Sequence, residues 1–127
     1  MDWVSNTVAD FGNTMGLSDL ALDDDGYTVF SMPPDGMLCL HDLQPSGGSE
    51  VLVVMSQPLS HPQALRARQA LLMADFRGNP AWGMQPAIRG DNLVVTLRMP
   101  RHSFILSALE EAIDGLFDFH SRVAQAG

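Results

Sequence analysis

Three turn signals in close succession divide residues 23–56 into short segments. An Asp-Gly turn ends at Gly26, a Pro-Pro-Asp-Gly turn covers residues 33–36, and a loop of Pro, Gly and Ser covers residues 44–49. The segments that these turns separate are short and apolar: Tyr27–Met32, Met37–Asp42 and Glu50–Ser56. Because such turns join neighbouring antiparallel strands, the pattern predicts a three-stranded antiparallel meander.

A helical pattern precedes this meander. Apolar side chains recur at helical spacing at positions Val4, Val8, Phe11 and Met15. Gly16 follows where a glycine commonly ends a helix in the left-handed conformation. The spacing therefore predicts an amphipathic helix over residues 2–15.

Two more helices and a second hairpin follow the meander. A helix that opens at Ser60 and ends at Phe76 has an apolar face too wide for one sheet to cover, which predicts that a partner subunit covers the rest. The segments 81–89 and Leu93–Met99 flank a turn and predict two strands. Pro100 is expected to open the last helix. Its apolar face comprises Ile105, Leu109, Ala112, Ile113, Leu116, His120 and Val123.

The predicted order of elements is α-β-β-β-α-β-β-α. This order is typical of the α+β class, in which one twisted antiparallel sheet is flanked by helices. A chain of 127 residues has the length of one domain, and no linker or repeat divides it. We therefore expect a single domain over residues 1–127.

The charge is unevenly distributed along the chain. Residues 1–65 contain nine acidic side chains and no lysine or arginine, and six of the seven basic residues lie between Arg66 and Arg101. The net charge is −8. Binding to nucleic acid or to an anionic membrane requires clustered cations, so neither is expected to be a partner. Apolar runs are too short for membrane insertion.

No motif for catalysis, metal or cofactor binding is present in the sequence. Aligning Gly26 with the glycine of a calcium-binding EF-hand loop places Ala21 and Met32 at two principal ligand positions, so the aspartate run is interpreted as a solvated turn. The four histidines lack zinc-ligand spacing. Cys39 is predicted to be a buried, inert thiol. We therefore expect a protein that is not an enzyme and has no metal or cofactor.

The single cysteine also bears on the compartment. Cys39 cannot form a disulfide within the chain, which favours a reducing environment. The first residues lack the basic and apolar stretches of a secretory signal peptide. A cytoplasmic location is therefore expected.

Several short motifs resemble the class I type III secretion chaperones, the Tir-chaperone (CesT-like) family of bacteria. The opening of the chain carries Phe11-Gly12, Met15-Gly16-Leu17 and Asp25-Gly26 in the family's order. The segment Leu71-Leu72-Met73-Ala74-Asp75-Phe76 is similar to the family's Leu-Leu-x-x-Asn-Phe helix end, with aspartate in place of asparagine. The resemblance covers nearly the whole chain and includes its length and low pI.

The resemblance implies a homodimeric chaperone that needs no ATP and binds the extended N-terminal region of a secreted effector, keeping it soluble and competent for secretion. Cargo binding in this family implies a role here for Trp3, Val4, Phe11, Val29, Met32, Leu38 and Leu40. The family's dimer contact implies a role for Leu65, Arg68, Leu72, Met73, Phe76, Trp82 and Met84. Because the cation-free half coincides with the expected cargo half, a basic or neutral cargo is expected.

Two other functions stay open on the sequence. The chain could be an adaptor or regulatory domain of the same fold that binds a protein outside secretion. It could also be a small enzyme whose site is assembled from dispersed residues, which a deep pocket lined by polar groups would indicate.

Overall fold

The predicted order of elements is confirmed by the computed structural model, which describes residues 3–17, 20–32, 36–59, 62–76 and 84–125. The elements are α1 (Trp3–Thr14), β1 (Tyr27–Met32), β2 (Gly36–Asp42), β3 (Glu50–Pro58), α2 (Gln63–Phe76), β4 (Met84–Arg89), β5 (Asn92–Pro100) and α3 (Leu106–Gln125). Two short 3-10 turns, Gln44–Ser46 and Arg101–Ser103, precede β3 and α3.

The five strands form one antiparallel sheet in the order β1-β2-β3-β5-β4. Burial alternates strictly along the three central strands, so that Val51, Val53 and Met55 of β3 are fully buried while their neighbours are only half-buried. One face of the sheet is therefore covered and the other is not, because successive side chains point to opposite faces.

Helices α1 and α3 supply most of the cover on the buried face. Val4, Val8 and Phe11 of α1 are buried with the inward residues of the sheet. The inward face of α3 is buried as the helical spacing predicted, from Leu109 to Val123. Burying these aliphatic and aromatic side chains stabilises the fold by about 1.5–3 kcal/mol each.

Three details of the predicted elements are wrong. The last helix begins at Leu106 rather than at Pro100, which ends β5, and a 3-10 turn separates the two. Ile105 consequently precedes the helix and is exposed instead of joining its apolar face. Met15 lies beyond the end of α1 and is exposed as well, since the helix ends one residue earlier. Residues 81–83 of the predicted strand lie outside the described residues.

The aspartate run forms a tight turn at the start of β1, as predicted. The Asp23 carboxylate accepts hydrogen bonds from the backbone N–H groups of Asp25 and Tyr27, both at 2.9 Å. Gly26 adopts φ of +84°, and a Cβ there would lie 2.3 Å from the carbonyl oxygen of Asp42. Only glycine satisfies both the left-handed conformation and this close approach.

His120 is buried in α3, where its Nε2–H donates to the carbonyl of Met55 at 3.0 Å. Burial lowers the pKa of this imidazole because the charged form loses hydration, and the carbonyl contact opposes the shift only in part. The folded protein therefore favours neutral His120.

Acidification should consequently destabilise the fold through His120. In the unfolded chain the imidazole has a pKa of about 6.5, so the contribution of neutral His120 to the free energy of unfolding is complete above that pH. This contribution is lost as the pH falls toward the lower pKa of His120 in the folded protein, by at most about 1.4 kcal/mol per pH unit. Urea unfolding of wild type and His120→Gln at about pH 7.5 and about pH 5.5 should show a stability difference that shrinks in acid. The same difference at both pH values would contradict this assignment.

Candidate protein-binding surface

The uncovered side of the sheet, called the open face, is a broad surface of mixed apolar and small polar side chains. Each of its members is exposed or half-buried, and no helix of the described chain covers them. The register aligns them in rows across the strands. The open face comprises Tyr27, Val29, Ser31, Met37, Cys39, His41, Leu52, Val54, Ser56, Gln85, Ala87, Val94, Thr96 and Arg98.

β1 is the edge strand beside the open face, and its outer backbone groups can be located from the register. Asp42 N–H donates to the carbonyl of Gly26 at 2.8 Å, which fixes the phase of the β1–β2 ladder. Because hydrogen-bonded and non-hydrogen-bonded pairs alternate in antiparallel strands, the N–H and C=O groups of residues 27, 29 and 31 point away from β2. These are the groups that an added strand would meet.

The turn before β1 closes this edge at one end. Asp23 occupies both outward groups of Tyr27: its carboxylate accepts from Tyr27 N–H, and its own N–H donates to the Tyr27 carbonyl, each at 2.9 Å. Within the described chain, no hydrogen bond occupies the outward groups of Val29 and Ser31. We call these outward groups of Val29 and Ser31 the open edge.

Tyr27, Cys39 and His41 form a small polar cluster on the open face. The rings of Tyr27 and His41 lie 4.4 Å apart between centroids. A hydrogen bond between Tyr27 and Cys39 raises the tyrosine pKa, and burial raises the pKa of the Cys39 thiol. Both groups are therefore neutral near pH 7, so the thiol is a poor nucleophile. Cys39 is half-buried on the open face, and the prediction that its thiol is buried is wrong.

Trp3 is the most conspicuous exposed side chain outside the sheet. About half of it, 48%, is exposed, yet its indole N–H donates to the carbonyl of Arg101 at 2.7 Å. The Arg101 guanidinium lies 5.0 Å from the indole ring centroid, within the range of a cation–π contact. The ring is thus held in a defined position at the surface.

The residues predicted to bind cargo divide between the core and the surface. Trp3 and Val29 are exposed, and the side chain of Met32 lies outside the described residues. The other four are core residues of the chain and are not accessible to a ligand in this conformation: Val4, Phe11, Leu38 and Leu40.

The register explains this division. Val29 lies opposite Cys39 on the open face, whereas Leu38 lies opposite Phe30 on the covered face. A set that combines Val29 with Leu38 and Leu40 therefore mixes two faces of the sheet. Alternation defines the two faces in the sequence but does not say which one the helices cover.

The residues predicted to form a dimer contact are partly accessible. Leu65, Arg68 and Leu72 share one side of α2 and are exposed, with 39% and 44% of the two leucines open to solvent. Met84 is buried within the chain. The side chains of Met73 and Phe76, and all of Trp82, lie outside the described residues. The dimer contact stays a prediction.

Exposed apolar residues that the sequence interpretation missed include Tyr27 and Met37 on the open face and Ile105 before α3. Tyr27 lies two residues before Val29 in β1, and Met37 lies two residues before Cys39, the partner of Val29 in β2. Placing Val29 on an uncovered face would have identified both, because residues two apart share a face.

The described residues offer little for chemistry. No group of three His, Cys, Asp or Glu side chains among them could hold a metal ion. A cavity near His120 measures about 30 Å³, room for little more than water. Within the same residues, no helix is long and apolar enough to cross a membrane.

The similarity of this chain to known proteins is detected in its structure and not in its sequence. No protein-family model matches the sequence, and a search of curated proteins gives no significant match. Among solved structures, the SycH type III secretion chaperone of Yersinia pestis, in complex with a fragment of YscM2, is similar to this chain with a TM-score of 0.71 and 14% identity. The match covers 94% of this chain and 98% of the other. The chain has the fold of type III secretion chaperones.

Two further structures share this secretion-chaperone fold. The HopA1–SchA chaperone–effector complex contains a chain that matches with a TM-score of 0.69 and 17% identity, covering 98% of this chain and 94% of that one. The ExsC–ExsE complex matches with a TM-score of 0.69 and 14% identity, covering 97% and 92%. These matches also span nearly the whole length of the chain.

Proposed function

We propose that the protein is an effector chaperone of a type III secretion system. It binds the N-terminal segment of a secreted protein in an extended conformation and keeps that protein soluble before export. The observation that carries this proposal is an uncovered sheet face bordered by an open edge, in a chain whose fold matches proteins solved as chaperone–effector complexes.

The surface suits an extended segment for a physical reason. The open edge offers backbone hydrogen bonds that do not depend on the ligand's sequence, while Val29 and Met37 offer apolar contacts to alternate side chains. Such binding orders the segment and costs it conformational entropy. How much complex forms is set by the affinity and the concentrations of the two partners. ATP hydrolysis is therefore unnecessary.

We propose further that the chaperone is a cytoplasmic homodimer. The exposed stripe of Leu65 and Leu72 on α2 supports this arrangement, since a second copy would bury apolar surface that a monomer leaves in water. The absence of cations from residues 1–65 supports a basic or neutral segment as cargo.

Affinity capture from the native host tests the function. The tagged wild-type chain should retain a secreted protein identified by mass spectrometry, and the isolated N-terminal segment of that protein should bind in a calorimetric titration. Removing the segment from the captured protein should abolish retention. Retention of the truncated protein at full strength would contradict the proposal, as would failure of the segment to bind.

Val29→Pro should abolish or strongly weaken binding of this segment. Proline removes the outward N–H of the open edge but no hydrogen bond to β2, and proline is tolerated at such edge positions. The dissociation constant in the titration should rise by at least about tenfold, because an interaction worth about 1.4 kcal/mol or more is lost.

The matched control is Val29→Ala, which keeps the N–H and shortens the side chain. Its effect on the dissociation constant should be smaller than that of proline, and both variants should retain the far-ultraviolet circular dichroism of the wild type. Equal affinities of the proline variant and the wild type would exclude the open edge as the binding site.

A further inference from the structure

Trp3 belongs to a chain of three side chains that connects the surface to the end of the sheet. Arg101 forms a two-point ion pair with Asp42, with its Nε 2.8 Å from Oδ1 and its Nη2 3.1 Å from Oδ2. The two side chains are only 12% and 7% exposed. Asp42 Oδ1 also accepts the backbone N–H of Gln44 at 3.1 Å. We call Asp42, Arg101 and Trp3 together the tryptophan anchor.

The anchor fixes the indole ring in two independent ways. The hydrogen bond from the indole N–H to the Arg101 carbonyl sets the position of the ring edge, and the guanidinium sets the orientation of the ring plane. The guanidinium is in turn oriented by the Asp42 carboxylate, because a planar two-point pair allows little rotation. The half-exposed Trp3 ring is thus held at two points.

The anchor also determines the chemistry that Trp3 presents. Its single polar group is already satisfied within the chain, and the charge of Arg101 is neutralised by Asp42. What the ring offers to a partner is therefore apolar surface, which fits an aliphatic or aromatic side chain.

The location of the anchor relates it to the open edge. Asp42 is paired with Gly26, next to Tyr27, and Arg101 directly follows the residue of β5 that pairs with Glu50. Trp3 therefore lies at the same end of the sheet as Tyr27, on the side of the sheet that the helices cover. To meet the ring, a segment bound at the open edge continues past the Asp23 turn, which closes this end of β1.

From this geometry we infer that Asp42 and Arg101 are positioning residues that preorganise Trp3 to receive an apolar side chain of the bound segment. The inference rests on the proposed function and adds to it the residues that orient this contact. Preorganisation strengthens binding because the cost of ordering the side chain is met before the ligand arrives. Immobilising one such side chain corresponds to about a twofold to tenfold change in affinity.

A double-mutant cycle tests the inference. The probe is the fluorescein-labelled N-terminal segment of the protein captured by the wild-type chain. Arg101→Lys keeps the positive charge but lacks the planar fork and the stacking surface, so it should weaken binding about twofold to tenfold. The same change in a Trp3→Ala background should have no further effect, because no ring is left to position.

Thr7→Val is the matched control for the attachment of α1. It removes a separate hydrogen bond of α1, between Thr7 Oγ1 and the carbonyl of Phe104 at 3.1 Å, without touching the anchor. Its effect on affinity should be the same with and without Trp3. In a Trp82→Phe background, the fluorescence anisotropy of Trp3 should fall in Arg101→Lys and stay unchanged in Thr7→Val.

The outcomes separate this inference from the proposed function. If the wild-type chain binds the probe but the losses from Arg101→Lys and Trp3→Ala are additive, the inference is overturned and the function stands. Unchanged anisotropy in Arg101→Lys also overturns it. A wild-type chain that binds no segment overturns the function and the inference together.

Discussion

Replacing both Leu65 and Leu72 by aspartate should convert the protein from a dimer into a folded monomer. In the proposed dimer these exposed leucines of α2 lose their contact with water. An unpaired carboxylate buried at that contact would cost several kcal/mol per charge. Light scattering should therefore give about twice the chain mass of 13.8 kDa for the wild type and a single chain mass for the variant.

Ile105→Asp provides the control for this change. Ile105 is even more exposed than the two leucines but precedes α3 and is not part of α2. Its aspartate variant should stay dimeric, and all variants should keep the circular dichroism of the wild type because each site is exposed in the single chain. A dimeric Leu65→Asp, Leu72→Asp variant would exclude α2 as the contact. A monomeric wild type would remove the dimer altogether.

Replacing Arg101 by methionine should lower the free energy of unfolding by about 3–5 kcal/mol. The large effect follows from burial: the Asp42 carboxylate is nearly inaccessible and would be left without its ion-pair partner. Urea unfolding near neutral pH measures the loss. Adding Asp42→Asn to the same variant should restore part of the stability, since the unpaired charge is then removed.

Arg98→Met is the matched comparison. Arg98 forms an ion pair with Glu50 at 3.3 Å, but the two side chains are 52% and 38% exposed. Exposed pairs of this kind contribute about 0–1 kcal/mol, so this variant should unfold almost as the wild type does. Similar losses in Arg98→Met and Arg101→Met would contradict the role assigned to the buried pair.

The order of elements could be predicted from the sequence because its signals are local. Gly26 and the Pro-Pro-Asp-Gly sequence at residues 33–36 are turn signals that bound β1, and the spacing of Val4, Val8 and Phe11 defines a helix face. The start of α3 was misplaced for a local reason too. Proline favours the first turn of a helix, but Pro100 is instead the last residue of β5.

The binding surface could be predicted only in part because its decisive contacts are not local. The sheet face that holds Leu38 and Leu40 is buried because α1 and α3 pack on it, and no feature of β2 alone indicates this. Trp3 was recognised as a candidate contact, but its anchor depends on Arg101, which lies 98 residues away in the chain. A hydrogen bond to a backbone carbonyl leaves no trace in the residue pattern.

The secretion of the captured protein tests the central proposal most directly. Its export should be measured from host strains that carry the wild-type chain, no chain, or the Val29→Pro variant at equal expression. We expect export with the wild type and a strong reduction in the other two strains, because the segment that must stay extended lacks its binding edge. Equal export from the strain without the chain would contradict the proposed chaperone function.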